Sequence, residues 1–97
     1  MLTFDDRFVS DGGIIGCVLL WADEPRFERV RFTIRSVILQ CVLRGANAVH
    51  DEQNVALCEN ERPQIEAACR GAFAKRPSAN IDLSLVDFAN INLTAAV

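Results

Sequence analysis

Residues 51–75 read DEQNVALCENERPQIEAACRGAFAK, and within them Val55, Cys58, Ile65, Ala68, Cys69, Ala72 and Phe73 recur at helical spacing among charged and polar positions. That pattern predicts an amphipathic helix with one buried stripe. Pro63 falls inside it, where a proline loses one hydrogen bond and clashes with the carbonyl of Glu59. Either the helix kinks there, or it splits and Pro63 sits in the first turn of a second helix. Cys58, Arg62, Ile65 and Cys69 keep phase across the proline, which favours a single kinked helix. Arg70, Lys75 and Arg76 lie toward its negative end, and Pro77 stops it.

The rest of the chain supplies a sheet for that stripe. Residues 4–10 predict a short first strand, ended by the turn signal Asp11-Gly12-Gly13. Residues 14–21 (IIGCVLLW) are apolar on both faces apart from Gly16. Ile15, Cys17, Leu19 and Trp21 project one way, and Ile14, Val18 and Leu20 the other. A strand of this kind is usually covered on both sides, yet the chain has little left to cover the second. A turn at residues 22–25 leads into 26–34, where Val30, Phe32 and Ile34 alternate with Arg29, Arg31 and Thr33. The two strands form a hairpin.

From Arg35 or Ser36 to Arg44 the period changes, and Ile38, Leu39, Val42 and Leu43 predict a short helix stopped by Gly45. A loop at 46–50 precedes Asp51, which suits a cap. Residues 80–85 alternate again, with Ile81, Leu83 and Leu85 expected inward, and predict a fourth strand. The tail, 89–97, is either an extra edge strand or frayed terminus, and fraying fits it better.

The expected architecture is a single α+β domain over residues 1–88. It is a two-layer sandwich whose antiparallel sheet joins a three-strand meander to the final strand, with both helices on one face. Ninety-seven residues suit one domain with an adequate but not generous core. The start, MLTFDDRF, lacks the basic-then-apolar order of a signal peptide, and no apolar run approaches a membrane span. A cytoplasmic protein with reduced thiols is expected.

Three segments carry a resemblance to a known family: residues 30–34 (VRFTI) running on to Leu39, residues 60–68 (NERPQIEAA), and residues 81–88 (IDLSLVDF). In order and content they resemble a small bacterial family known only as domain of unknown function number 1488. The resemblance implies a small α+β domain of strands, then helices, then a final strand. It implies no activity, cofactor or partner. The chain departs from the family where a serine usually opens the first helix and Arg35 stands here, and its tail runs past the usual end.

Reactive chemistry finds little support in the residues. Cys17, Cys41, Cys58, Cys69 and His50 contain no ligand pair at two-to-four-residue spacing, so no zinc site is expected. On one straight helix Cys58 and Cys69 would stand about 16 Å apart, too far for one metal or disulfide. His50 falls in a loop and every cysteine on an apolar stripe, which disfavours a thiolate–imidazole pair. Asp5-Asp6, Asp23-Glu24 and Asp51-Glu52 suit turns and a helix start. No glycine-rich phosphate loop is present. With no nucleophile, base and orienter to assemble, no catalytic residue, cofactor or metal is assigned, and an enzyme is not expected.

Charge adds one uneven feature. Nine of the ten basic residues are arginine, and five lie at 26–44 against Glu28 alone, whereas 51–66 carries five carboxylates against Arg62. Arg29 and Arg31, with Arg35 continuing the row, form a candidate anion-binding face. No aromatic alternates with them to stack bases, and the net charge is −3. Ile15, Cys17, Leu19 and Trp21 form a candidate interface rimmed by these arginines. The first expectation is a non-enzymatic module that self-associates as a two-fold dimer. The alternative is a nucleic-acid or anion-binding accessory protein using Arg29, Arg31 and Arg35.

Overall fold

The computed structural model describes residues 2–5, 7–11, 17–43 and 51–89. They form β1 (Thr3–Phe4), β2 (Val9–Asp11), β3 (Cys17–Glu24), β4 (Glu28–Arg35), α1 (Ser36–Leu43), α2 (Asp51–Asn60), α3 (Arg62–Lys75), β5 (Asn80–Asp82) and α4 (Leu85–Phe88). Ile15, the glycine turn at 12–13, Gly45, the 46–50 loop and the 90–97 tail lie outside the described residues.

The architecture is α+β. β3 and β4 form the central antiparallel hairpin, β1 and β2 both pair antiparallel with β3, and β5 lies on the far side of β4. β5 runs parallel to β4, so the sheet is mixed rather than wholly antiparallel. The direction follows from the crossover: the described helices α1, α2 and α3 intervene between β4 and β5, and the chain re-enters the sheet from the end where β4 began.

The inner face is built as the alternation predicts. Val18, Leu20 and Ala22 of β3 and Val30, Phe32 and Ile34 of β4 are buried with Leu39, Cys58, Ile65, Ala68, Cys69, Ala72, Phe73 and Phe88 from the helices. Every described helix contributes its buried apolar side chains to this one cluster, so the helices share one face. Asn54 of α2 is buried there as well, its amide donating to Ser36 Oγ at 3.0 Å, a polar link that periodicity alone does not announce.

Three expected elements take a different form. The kinked helix is two helices, parted by Glu61 alone. The Glu61 N–H still closes the last turn of α2 on Leu57 O at 3.1 Å. Its carbonyl then accepts from Gln64 and Ile65, both at 3.1 Å, to open α3. Pro63 thereby stands in a first turn, where its missing donor costs nothing. The predicted first strand is two: the Asp5 N–H still donates to Trp21 O at 2.8 Å, but Arg7 and Phe8 lie outside the ladder. Arg62 at the head of α3 donates to the Asp5 carbonyl and lies over the Phe8 ring at 5.0 Å, while Phe8 turns into the core. The last strand ends at Asp82 instead of Leu85. Ser84 and Asp87 form a capping box that starts α4, and Leu85 is left 50% exposed rather than inward.

The β3–β4 turn is tied to the helical layer. Glu24 O accepts from the Phe27 N–H at 3.1 Å across Pro25, and Glu28 follows in the left-handed region at φ 63°. The Phe27 ring meets Phe73 edge-on at 5.8 Å, and the Arg26 guanidinium lies over Phe73 at 5.2 Å. The buried Glu24 carboxylate accepts from Arg26 N at 2.8 Å and Nε at 3.0 Å. Burial alone would raise its pKa, but the Arg26 hydrogen bonds and charge outweigh it and hold the group below its ordinary value.

Candidate functional site

The register places Cys17, Leu19, Trp21 and Asp23 of β3 on the outer face beside Arg35, Thr33, Arg31 and Arg29 of β4. Val9 of β2 lies next to Leu19, and Asn80 and Asp82 of β5 lie next to Arg31 and Thr33. All three arginines and three of the four apolar positions singled out from the sequence therefore share this face. The fourth, Ile15, is not among the described residues.

The apolar part is narrower than the alternation suggested. Cys17 is 2% and Leu19 8% exposed, while Trp21 is half-buried and Val9 is 51% exposed. The strand centre is thus closed to solvent, and Trp21 and Val9 are the described apolar side chains of this face that stay partly open. Strand alternation reports which side a residue takes, not how far its neighbours cover it.

The arginines are not a free cationic row. Arg29 pairs with Asp5 and lies over the Trp21 ring at 4.8 Å. Arg35 approaches Asp82 at 3.6 Å. Arg31 makes no ion pair among the described residues, and its buried Nε finds no hydrogen-bond partner there. The face carries Arg29, Arg31 and Arg35 against Asp5, Asp23 and Asp82, with Asp11 at the register position beside Cys17, so its carboxylates at least match its cations, which the row read alone did not reveal. Asp5 joins only because β1 pairs with the end of β3, a long-range contact with no local signal.

Between β4 and β5 the same face has a concavity of about 350 Å³, lined by Cys17, Arg31, Thr33, Arg35, Asn80, Ile81 and Asp82. The edge of β5 turned away from β4, unpaired among the described residues, is short and blunted. Arg76 donates to the Asp82 carbonyl at 3.3 Å, and the Asn80 N–H is held by Ser78 Oγ at 3.2 Å.

The thiols have structural surroundings. None of the four cysteines is in a disulfide. Burial, with Glu59 nearby, pushes the Cys58 thiol up to about 12, and burial raises Cys69 as well, so both stay protonated at neutral pH. Because the helix splits, the straight-helix spacing does not apply to them; both pack in the one core cluster. Among the described residues no group of three or more His, Cys, Asp or Glu side chains is arranged to hold a metal ion. No described helix is long and apolar enough to cross a membrane.

Fold and face together define a class: a small α+β domain whose described helices form one layer, and whose other sheet face carries charges of both signs around an aromatic centre. No family model, curated protein or solved structure matches the chain.

Proposed function

We propose that the protein is a non-enzymatic cytosolic module that associates with a second copy of itself through the outer face of the sheet. The observation that carries this reading is the composition of that face. Val9, Leu19 and Trp21 lie among register positions that hold Arg29, Arg31 and Arg35 together with several aspartates, and the described helices all pack on the opposite side. A patch holding both signs of charge suits association about a two-fold axis, because two such faces meet without net like-charge repulsion. The likeness to the family of unknown function 1488 belongs to the same proposal and adds no activity to it.

Reading the row as a nucleic-acid surface is less well supported. A phosphate-tracking face needs an excess of cations, whereas here Asp5 and Asp82 already engage two of the three arginines. Binding to a mixed DNA and RNA pool that weakens steeply with salt and is lost in Arg29→Ala and Arg31→Ala would restore it.

Light scattering at tens of micromolar is expected to give twice the 10.7 kDa of one chain. Trp21 is the sole tryptophan, so dilution through the dissociation range should red-shift its emission. Val9→Glu changes a side chain already half in water and should yield a folded monomer. A monomeric wild-type chain at that concentration would end the proposal.

A further inference from the structure

We propose that the concavity between β4 and β5 binds a small oxyanion, the carboxylate or phosphate group of a diffusible ligand, with Arg31 as its principal contact. This goes beyond self-association and does not depend on it. Arg31 differs from the other two arginines of the face in a way the sequence hides. Arg29 is committed to Asp5 and the Trp21 ring, and Arg35 shares Asp82. Arg31 keeps its charge without a carboxylate, and its Nε is out of water with no acceptor among the described residues. A guanidinium donor held this way is costly, and an oxygen ligand in the concavity lets the group turn toward it, so that Nε and the adjacent terminal nitrogen make a two-point contact.

The remaining lining suits that group. Thr33 and Asn80 bring a hydroxyl and an amide to the same concavity, and Arg35 brings a second cation. Asp82, 3.6 Å from Arg35, opposes an anion, so the described lining carries a net charge of about +1. That favours a single oxyanion group over a nucleic-acid backbone. The volume, about 350 Å³, lies at the lower end of small-molecule sites.

The test is an NMR titration of the arginine Nε–H resonances in the Val9→Glu variant, at constant ionic strength, with inorganic phosphate in one arm and sodium acetate in the other. Using that variant separates this proposal from the dimer, because a failure of either leaves the other standing. The Arg31 resonance should move and saturate in at least one arm while Arg29 stays within the change seen with chloride alone. The arm with the tighter saturation identifies phosphate or carboxylate as the group recognised. Arg31→Gln should weaken binding by at least about tenfold, the loss of one charge-assisted pair, and Arg29→Gln by less than about twofold. Shifts that grow linearly without saturation, or are equal at all arginines, overturn the proposal. So does an unchanged affinity in a folded Arg31→Gln chain.

Discussion

Val30, Phe32 and Ile34 are fully buried on one side of β4, while Arg29, Arg31, Thr33 and Arg35 stand on the other at the same strand spacing. The two faces answer to different physics. On the inner face each side chain gains by leaving water, at about 25 cal/mol per Å² of apolar surface, and its partners are whatever fills space. On the outer face charges are partly hydrated, each pair contributes about 0–1 kcal/mol, and geometry decides which partners meet. The inner face therefore carries most of the stability, and the charges of the outer face add little to it.

The sharpest way to break this contrast is to cut a neighbouring residue on each face. Phe32→Ala removes a ring wholly inside the core and 5.9 Å from that of Phe4, and should destabilise by about 3–5 kcal/mol. For a domain of this size that approaches the whole stability. Thr33→Ala, one position on, should change it by less than about 1 kcal/mol. Urea unfolding followed by circular dichroism measures both; comparable losses would mean the outer face is as structural as the inner one.

The contrast also explains what the sequence made legible. Strand and helix periodicity located the buried stripe at Ile65, Ala68, Cys69, Ala72 and Phe73, and the inward triplet of β4, because burial on one side imposes a period. It separated the faces of β3 correctly as well. It could not report the direction of β5, which depends on where the crossover through α1, α2 and α3 returns the chain. Leu85 continued the alternation of Ile81 and Leu83, and only the Ser84–Asp87 spacing signalled that a helix begins there. On the outer face residue types were legible but pairings were not. Nothing local joins Asp5 to Arg29, or leaves Arg31 without an ion pair among the described residues while Arg35 meets Asp82.

Asp87 lies between the two regimes and sharpens the comparison. Its carboxylate, 2% exposed at the side chain, takes a two-point contact from Arg76 at 2.9 and 2.7 Å and accepts the Ser84 N–H at 2.8 Å. Arg76 holds its pKa below the ordinary carboxylate range; burial opposes the shift, and Ser84 adds to it. A lowered folded-state pKa gives stability that is complete above the unfolded value of about 3.9 and fades as pH falls through the folded one. Asp87→Asn should therefore cost about 1–2 kcal/mol at neutral pH, less than a fully buried pair because Arg76 remains half in water. The gap between variant and wild type should close as pH drops below about 4. Urea midpoints at the two pH values test this, and a gap independent of pH would assign the loss to packing.

Arg29→Ala probes the outer regime alone. It removes the Asp5 pair and the cation over Trp21, both at groups about half in water, and should cost no more than about 1 kcal/mol. Added salt should shrink that cost, since exposed charges are screened within about 10 Å at 0.1 M. A larger, salt-insensitive loss would mean that Arg29 supports the fold through its stem.

The smallest effect expected is a gain, and it arises where the two faces meet at the end of the hairpin. Glu28 adopts φ 63°, in the left-handed region that costs a residue with a Cβ about 1–2 kcal/mol. Pro25 presets the preceding turn, and the Phe27 N–H bond to Glu24 O at 3.1 Å closes it, so the strain falls on the residue that must re-enter β4. Glycine relieves the strain but widens the unfolded ensemble, which returns about half of the gain. Glu28→Gly should then stabilise the domain by about 0.5 kcal/mol, read as a small rise in urea midpoint at unchanged slope. Because Glu28 faces water and makes no described ion pair, the change does not touch either face, and the solution mass should stay that of the wild type. Glu28→Ala is the control: it also deletes the carboxylate but keeps the Cβ, so it should show no gain. Equal gains from both variants would locate the effect in charge rather than in the backbone.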